Sequence, residues 1–356
     1  MASGGLLASS GGFHPGHFIS FVAKEHDLRV LVTGGAGYIG GTVANALLDA
    51  GHEVIIYDNL CHARRDLIPA RAEFIDGDIA DRAKLEAIFD ARKFDGVMHF
   101  AALIEAGESM KVPEVYFRAN TAATLGLLEA MIAKKVERLV FSSTAALYGD
   151  PETVPIREDA RLQPTNTYGE SKLLVEHMLR WINQIHGLRY ASLRYFNVAG
   201  AVIGAAGSRG EAHEPESHLI PLVLDVALGV RKSIKIFGQD YPTPDGTCVR
   251  DYVHVSDLAK AHLLAFDALA TRDKLIYNLG NGKGFSVREV IESVKRVTGK
   301  PIEVEELPRR PGDPAVLVAS SDKIATELGW TPDFANLDDI IASAWTWHQH
   351  WYGGKK

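Results

Sequence analysis

Tyr168 and Lys172 lie four residues apart in the stretch Thr165-Asn-Thr-Tyr-Gly-Glu-Ser-Lys172, and together they could act as a general base. Thr167 followed three residues later by Glu170 is a capping-box pattern, which places a helix start here. One turn of that helix puts the phenol and the ammonium on the same face. An ammonium near a phenol favours the phenolate, which otherwise forms only near pH ~10. Such a base could take a proton from a sugar or alcohol hydroxyl. Spacing alone does not establish this, because a solvated helix face carries the same pattern. Tyr352 and Lys356 repeat it in the terminal tail, where no function is assigned.

The elements that would position the pair begin with Arg29-Val-Leu-Val-Thr33, a short buried strand. Gly34-Gly-Ala-Gly37-Tyr-Ile-Gly40 follows at once and opens an amphipathic helix to about Ala50. Gly51-His52 ends the helix, and a second strand, Val54 to Tyr57, closes with Asp58. Glycines at the first turn let the backbone approach a pyrophosphate, which the helix N-terminus attracts. An acid about 20 residues on would hydrogen-bond a ribose 2′-hydroxyl and repel a 2′-phosphate, favouring NAD over NADP.

The alternation continues with a strand at Glu73-Phe-Ile, a helix from Lys84 to Asp90 and a strand at Gly96 to Phe100. A long helix from Val115 to about Lys134 and a strand from Arg138 to Ser142 come next. The fold class expected is α/β, a doubly wound parallel sheet of Rossmann type with a smaller C-terminal substrate domain. Ala101, Asn120 and Thr144 would gather beyond the carboxyl ends of the strands, where such sheets bind ligands. Thr144 could hydrogen-bond a substrate hydroxyl or the Tyr168 phenol, or simply cap a turn.

Past the strand Tyr190 to Arg194 the texture changes. A loop from Gly204 to Ser217 precedes His218 and a helix to about Gly229, and Ile234 to Phe237 reads as a strand. Arg250 to Asp257 is read as opening another helix, followed by a strand at Tyr277 and a helix from Val287 to Thr298. The division expected is a dinucleotide domain over 28–200 and a mainly substrate domain over 201–356, with segments near 251–280 returning to the first. Residues 1–27 read as a vector-derived or disordered extension.

Composition bounds the function. The chain has 356 residues, is 46% hydrophobic and 23% charged, and carries a net charge of -7. That balance argues against general affinity for nucleic acid or anionic membrane. No apolar run approaches the ~20 residues of a membrane span. Two cysteines, Cys61 and Cys248, give no disulfide framework and fit a cytoplasmic location. The 14 histidines are scattered without the carboxylate or thiol company of a closed metal site, so no metal is expected.

Taken together, Gly34 to Gly40, Asp58, Asp78-Ile79, His99-Phe-Ala-Ala102, Ser142-Ser-Thr144, Tyr168/Lys172 and Arg194-Tyr-Phe-Asn197 resemble the extended short-chain dehydrogenase/reductase family. Within it, the run from Phe237 to His254 and Arg309-Arg-Pro-Gly-Asp313 is similar to the UDP-sugar 4-epimerases, and the resemblance covers Leu28 to Trp347. It implies that Tyr168 takes the sugar 4-hydroxyl proton while C4 gives a hydride to tightly bound NAD. The 4-keto sugar then turns over and is reduced on its other face, interconverting UDP-glucose and UDP-galactose. Lys172 would keep the phenol acidic and contact the nicotinamide ribose, and Thr144 would orient the 4-hydroxyl.

By the same resemblance Gly34, Gly37, Tyr38, Ile39, Gly40, Asp58, Asn59, Leu60, Cys61, His62, Ala63, Asp78, Ile79, Phe100, Ala101, Ala102, Leu103, Ile104, Asn120 and Phe196 line the cofactor. Asn197, His218, Leu219, Lys235, Phe237, Arg250, Arg310 and Asp313 would hold the UDP part, guanidinium groups gripping diphosphate through paired hydrogen bonds. A homodimer is implied through the helices Val115 to Lys134 and Tyr168 to Gln184. Apolar Leu174, Met178, Leu179 and Ile182 suit that pairing and suit packing on a sheet equally. Four positions depart from the commoner pattern: Thr144 for serine, Ile104 for a basic residue, His218 for asparagine, and a loop after Asp313 shorter by one. The last puts Val316 where a bulky tyrosine closes the sugar pocket, so N-acetylated sugars are expected to enter.

Three rivals were weighed. A 4,6-dehydratase needs an acid pair after the strand, and Thr144-Ala145-Ala146 supplies none. UDP-xylose or UDP-glucuronate 4-epimerases differ mainly around sugar C5 and C6 and stay open. A non-catalytic NAD-binding regulator would not need the intact Tyr168/Lys172 pair.

Overall fold

The computed structural model describes residues 27–353 apart from 205–207, 214 and 311–312. The expected extension (save Asp27) and Lys356 therefore lie outside the described residues.

The first half runs β1 (Arg29–Thr33), α1 (Tyr38–Asp49), β2 (Glu53–Asp58), β3 (Glu73–Asp76), α2 (Arg82–Ala91), β4 (Gly96–His99), the short turns α3 (Ala106–Ser109) and α4 (Pro113–Tyr116), α5 (Ala123–Ala133), β5 (Arg138–Thr144), α6 (Thr167–His186) and β6 (Arg189–Tyr195). The second runs β7 (Asn197–Ala199), α7 (Leu219–Ala227), β8 (Ile234–Phe237), β9 (Val249–His254), α8 (Val255–Ala268), β10 (Lys274–Leu279), β11 (Gly284–Ser286), α9 (Val287–Thr298), β12 (Val304–Leu307), β13 (Val316–Leu317), α10 (Asp322–Leu328) and α11 (Leu337–Gly353).

Seven strands form one parallel sheet in the order β10-β6-β5-β4-β1-β2-β3. The alternation of β1 explains why both faces are covered. Val30 and Val32 belong to a core shared with Val43, Leu47, Leu258 and Phe266 of α1 and α8. Leu31, between them, joins Leu85, Leu127 and Leu179 of α2, α5 and α6 on the other face. Strands buried on both sides must be apolar throughout, as these are. The second half supplies β10 to the edge of this sheet and α8 to its face against α1. What remains builds a sheet of β11-β9-β13, with β7 also on β9, and the separate pair β12-β8. A third core, including Val223, Ile236, Val290 and Ile340, joins them to α7, α9 and α11.

Three local readings are corrected. The single helix expected from Val115 to Lys134 is α4, a π-helical segment Phe117–Ala122, then α5. The wider turn carries Asn120 inward, where its amide bonds Leu103 N–H (2.8 Å) and Leu103 C=O (2.9 Å). Single-turn π segments of this kind collect at functional sites. Second, Arg250 to His254 is strand rather than the opening of a helix, because β9 has three strand neighbours to pair with. Third, α6 is capped by Asn166, whose Oδ1 accepts Gly169 N–H (2.8 Å), not by a Thr167/Glu170 box. The Thr167 hydroxyl points instead to Met110 Sδ (3.9 Å).

Candidate active site

The first half of the site is the glycine turn between β1 and α1. Gly34 has φ +70°, and a Cβ there would lie 2.5 Å from Ala101 N, so only glycine lets the loop after β4 close against it. A Cβ on Gly40 would come within 2.3 Å of Gly34 O, which lets α1 pack onto the turn. No side chain caps α1 at Gly37, leaving its first N–H groups to an anion. Asp58 fixes the turn from the next strand: Oδ2 accepts Ala36 N–H (3.0 Å) and Oδ1 accepts Leu60 N–H (2.8 Å). Burial raises the Asp58 pKa, and those two hydrogen bonds pull it back down.

A cleft runs from this turn past Gly34, Gly37, Tyr38, Ile39, Gly40, Asp58, Asn59, Cys61, His62, Ala63, Asp78 and Ile79 to Phe100, Ala101, Ala102, Leu103 and Ile104. Five cofactor candidates stand outside the lining, Tyr168 and Lys172 of α6 among them. Leu60 is turned by its bond to Asp58, Asn120 is spent on Leu103 and Ser171, and Phe196 packs with Tyr148, Ile156 and Ala319. The lining also includes Ser142 of the quoted Ser142-Ser-Thr144 motif, and Tyr57, Glu105, Tyr116, Glu211 and His213, which were not expected there. Tyr57 borders Asp58; Glu211 and His213 arrive from a distant loop that no local pattern marks. An uncapped helix start, a cradle that Cβ atoms would fill and an acid at the end of β2 fit a dinucleotide.

The second half is carried by α6 and the end of β5. Tyr168 N–H donates to Ser109 Oγ (3.0 Å), holding the first turn of α6. Thr144 caps the turn after β5, its Oγ1 accepting Ala146 N–H (3.1 Å), and its hydroxyl is close enough to the Tyr168 phenol to pull the phenol's pKa down. Lys172 is 2% exposed; its Nζ donates to Ser142 C=O (2.9 Å) and lies 4.9 Å from the Phe141 ring centre. Burial brings the Lys172 pKa down to about 7. Burial pushes the Tyr168 phenol up, with the Glu105 carboxylate adding to this, and the Thr144 hydrogen bond pulls it down. The Lys172 ammonium is engaged by the Ser142 carbonyl.

A buried network holds α6 in place. Arg194 of β6 grips Glu176 of α6 through Nε–Oε1 (3.0 Å) and Nη2–Oε2 (2.7 Å). Ser143 Oγ donates to Glu176 Oε1 (2.7 Å), and Arg194 Nη1 donates to the Tyr148 hydroxyl (2.8 Å). Tyr148 in turn donates to Asn278 Oδ1 of β10 (2.7 Å).

Most of the other candidates cluster around β9. Asn197 is paired in register with Tyr252, and Val316 with Val249. Arg250 and Asp313 form an ion pair with each other. The Arg310 guanidinium lies 3.8 Å from the Phe237 ring centre, and Lys235 is exposed two residues before it on β8. His218 precedes Leu219 at the start of α7, its Nδ1 2.8 Å from Glu216 Oε1. That carboxylate and Glu211 outweigh burial and raise the His218 pKa to about 9. Among the described residues, no group of three or more metal-binding side chains is present.

Fold and site together define a dinucleotide-binding enzyme of the class that pairs a tyrosine with a lysine one helical turn apart. Residues 30–280 match the NAD dependent epimerase/dehydratase family. The chain is 54% identical over 321 residues to the UDP-glucose 4-epimerase of Streptomyces lividans, covering 90% of this chain and 96% of that one. It superposes with a TM-score of 0.86 on the UDP-glucose 4-epimerase of Brucella ovis solved in complex with NAD, at 41% identity and covering 90% and 98% of the two chains. The Bifidobacterium longum enzyme of the same name, solved with NAD+ and UDP, gives 0.87 at 39% identity over 92% and 99%. The chain belongs to the NAD-dependent epimerase/dehydratase family.

Proposed function

We propose that the protein is an NAD-dependent UDP-glucose 4-epimerase, and the observation that carries this is the Thr144 hydroxyl set against the Tyr168 phenol, at the end of the strand whose Ser142 lines the dinucleotide cleft. NAD, when bound, supplies a reversible hydride acceptor for sugar C4. The polypeptide does the rest. Tyr168 removes and returns the proton on O4, and Thr144 holds that hydroxyl and the phenol in line. Lys172, fixed to Ser142, keeps a cation beneath the reacting end. The backbone N–H groups at Tyr38 and Ile39 would take the diphosphate, and Asp58 would take the adenosine ribose. Residues 28–200 together with 251–280 carry the dinucleotide, and the remainder mainly carries the UDP-sugar.

On the substrate side Arg250, Arg310, Lys235 and His218 are cations suited to a nucleoside diphosphate. Phe237 and Asn197 would flank the base and sugar, and Asp313 steers Arg250. Val316 is half-buried and small, which favours a pocket that also admits UDP-GlcNAc and UDP-GalNAc. Incubating the protein with UDP-galactose, then UDP-GalNAc, and resolving products by chromatography tests both readings. UDP-glucose should appear; no conversion with NAD supplied would overturn the assignment, and turnover of UDP-galactose alone would close the wider pocket.

The same reading includes a homodimer. Leu179 is buried in the core against the sheet, with Met178 and Ile182 partly buried beside it. Trp181 (55% exposed) and Ile185 (66%) do face outward, as do Phe117 and Leu125 on the neighbouring helical path. Apolar side chains gathered this way suit a helical interface. Trp181→Glu should shift sedimentation from dimer to monomer; a wild-type chain that sediments as a monomer would remove the proposal. No helix among the described residues is long and apolar enough to cross a membrane, and both cysteines are free.

A further inference from the structure

Arg209 is 4% exposed and lies beneath the glycine turn rather than in the cleft lining. Its Nη1 donates to Gly37 O (3.1 Å) and Ala36 O (3.3 Å). Gly41, in the first full turn of α1, makes room for it: a Cβ there would lie 2.4 Å from Arg209 Cζ. Both backbone polar groups of Arg209 pair with Val202 (2.9 Å each), so the residue is held from its own loop. Among the described residues no carboxylate forms an ion pair with it, and its buried Nε has no partner. Burial moves its pKa only to about 10, so it is charged at neutral pH.

A buried guanidinium without a counter-ion is costly, and such groups persist where an anion or a strong dipole compensates them. The carbonyls of Ala36 and Gly37 supply part of that compensation. They are also the groups of the turn whose negative ends would oppose an anion at the start of α1. Two and four residues further on, Glu211 and His213 line the cleft; Trp347 Nε1 donates to Glu211 O (2.8 Å), and Ser217 Oγ donates to Glu105 Oε1 (3.0 Å). The loop that carries Arg209 therefore belongs to the dinucleotide site on both sides of the glycine turn.

We propose that Arg209 is a positioning residue for the dinucleotide diphosphate, supplying counter-charge through the glycine turn and tying back the Ala36 and Gly37 carbonyls. This rests on the NAD reading above, and its test uses no UDP-sugar, so failure of the epimerase assignment would be seen separately as absent turnover.

The test compares the concentrations of ADP and of adenosine that displace bound NAD from the holoenzyme. ADP carries the diphosphate and adenosine does not. Arg209→Met should shrink the advantage of ADP over adenosine about tenfold and speed exchange of bound NAD against labelled NAD. Arg209→Lys, which keeps the charge, should recover most of it. A purely structural role would weaken both displacers alike, and an unchanged ADP-to-adenosine ratio in Arg209→Met would overturn the proposal. If Arg209→Met does not fold, Gly41→Ala decides. Glycine to alanine inside a helix is otherwise favourable, but here the methyl would push the guanidinium away. It should lower the ADP preference too, and retention of the full preference would refute the role of Arg209.

Discussion

Arg194 and Arg209 are both buried, at 2% and 4% exposure, and the regions around them differ in one respect. Arg194 is answered within the protein: Glu176 takes it with two hydrogen bonds, Tyr148 with a third, and the Glu158 carbonyl with a fourth (3.1 Å). Arg209 has two carbonyls and no carboxylate. The first region keeps α6, and so Tyr168 and Lys172, at a fixed height above β5 and β6. The second is complete only with an anion at the glycine turn. One half of the site is therefore organised by the fold itself, and the other by its ligand.

Tyr168→Phe draws the sharpest line between them. It removes the proton-transfer group and leaves the glycine turn and Arg209 untouched. We expect kcat for UDP-galactose to fall about 10²–10⁴-fold, the range for a lost general base, with the NAD content of the purified protein unchanged. Loss of NAD together with turnover would mean that the two regions are not separable.

Glu176→Ala tests the region around Arg194 on stability instead. Removing one partner of a buried pair strands the other charge, at a cost of about 3–5 kcal/mol in denaturant unfolding. Replacing both, as Glu176→Met with Arg194→Met, should recover most of it, since a buried pair exchanged for apolar side chains is often near neutral. Arg209→Met, by contrast, should cost at most about 1 kcal/mol, because it strands no carboxylate. Equal losses in the two regions would erase the distinction.

The same contrast governs what could be read from the sequence. Gly34 to Gly40 with Asp58 was legible because the β-α-β unit is local, so spacing alone places glycines, helix start and acid. The strands of the first sheet were legible because burial on both faces forces continuous apolar runs. Tyr168 and Thr144 could be placed near each other from their motifs, while the partner of the Lys172 ammonium could not be read from spacing. Whether an ammonium bonds a phenol or the Ser142 carbonyl depends on a contact 30 residues away. The cap at Asn166 was missed by one position because Thr167 offers equally good cap chemistry. Asn120 illustrates the hidden π segment: nothing in its neighbours signals a wider turn, which forms around bonds to Leu103. Arg209, Glu211 and His213 were silent for the same reason, their meaning lying in Ala36, Gly37 and the cleft, roughly 170 residues earlier.

Lys172 gives the finest test, because it is a buried cation in the region otherwise answered by the fold. Burial lowers its pKa from 10.5 to about 7. Between those values the unfolded chain holds this proton and the folded one does not, so stability rises with pH across that window. Below pH 7 both states are protonated and the penalty is full and constant. Lys172→Met removes the group and keeps the bulk of the stem. Its unfolding free energy relative to wild type should therefore be most favourable at and below pH 7 and decline toward pH 10, while its turnover falls. A wild-type chain more stable than Lys172→Met at pH 7, with the gap closing at high pH, would show that Ser142 and the Phe141 ring satisfy the ammonium fully. Lys172 would then stand with Arg194 as a cation completed by the protein, and Arg209 alone would await its anion.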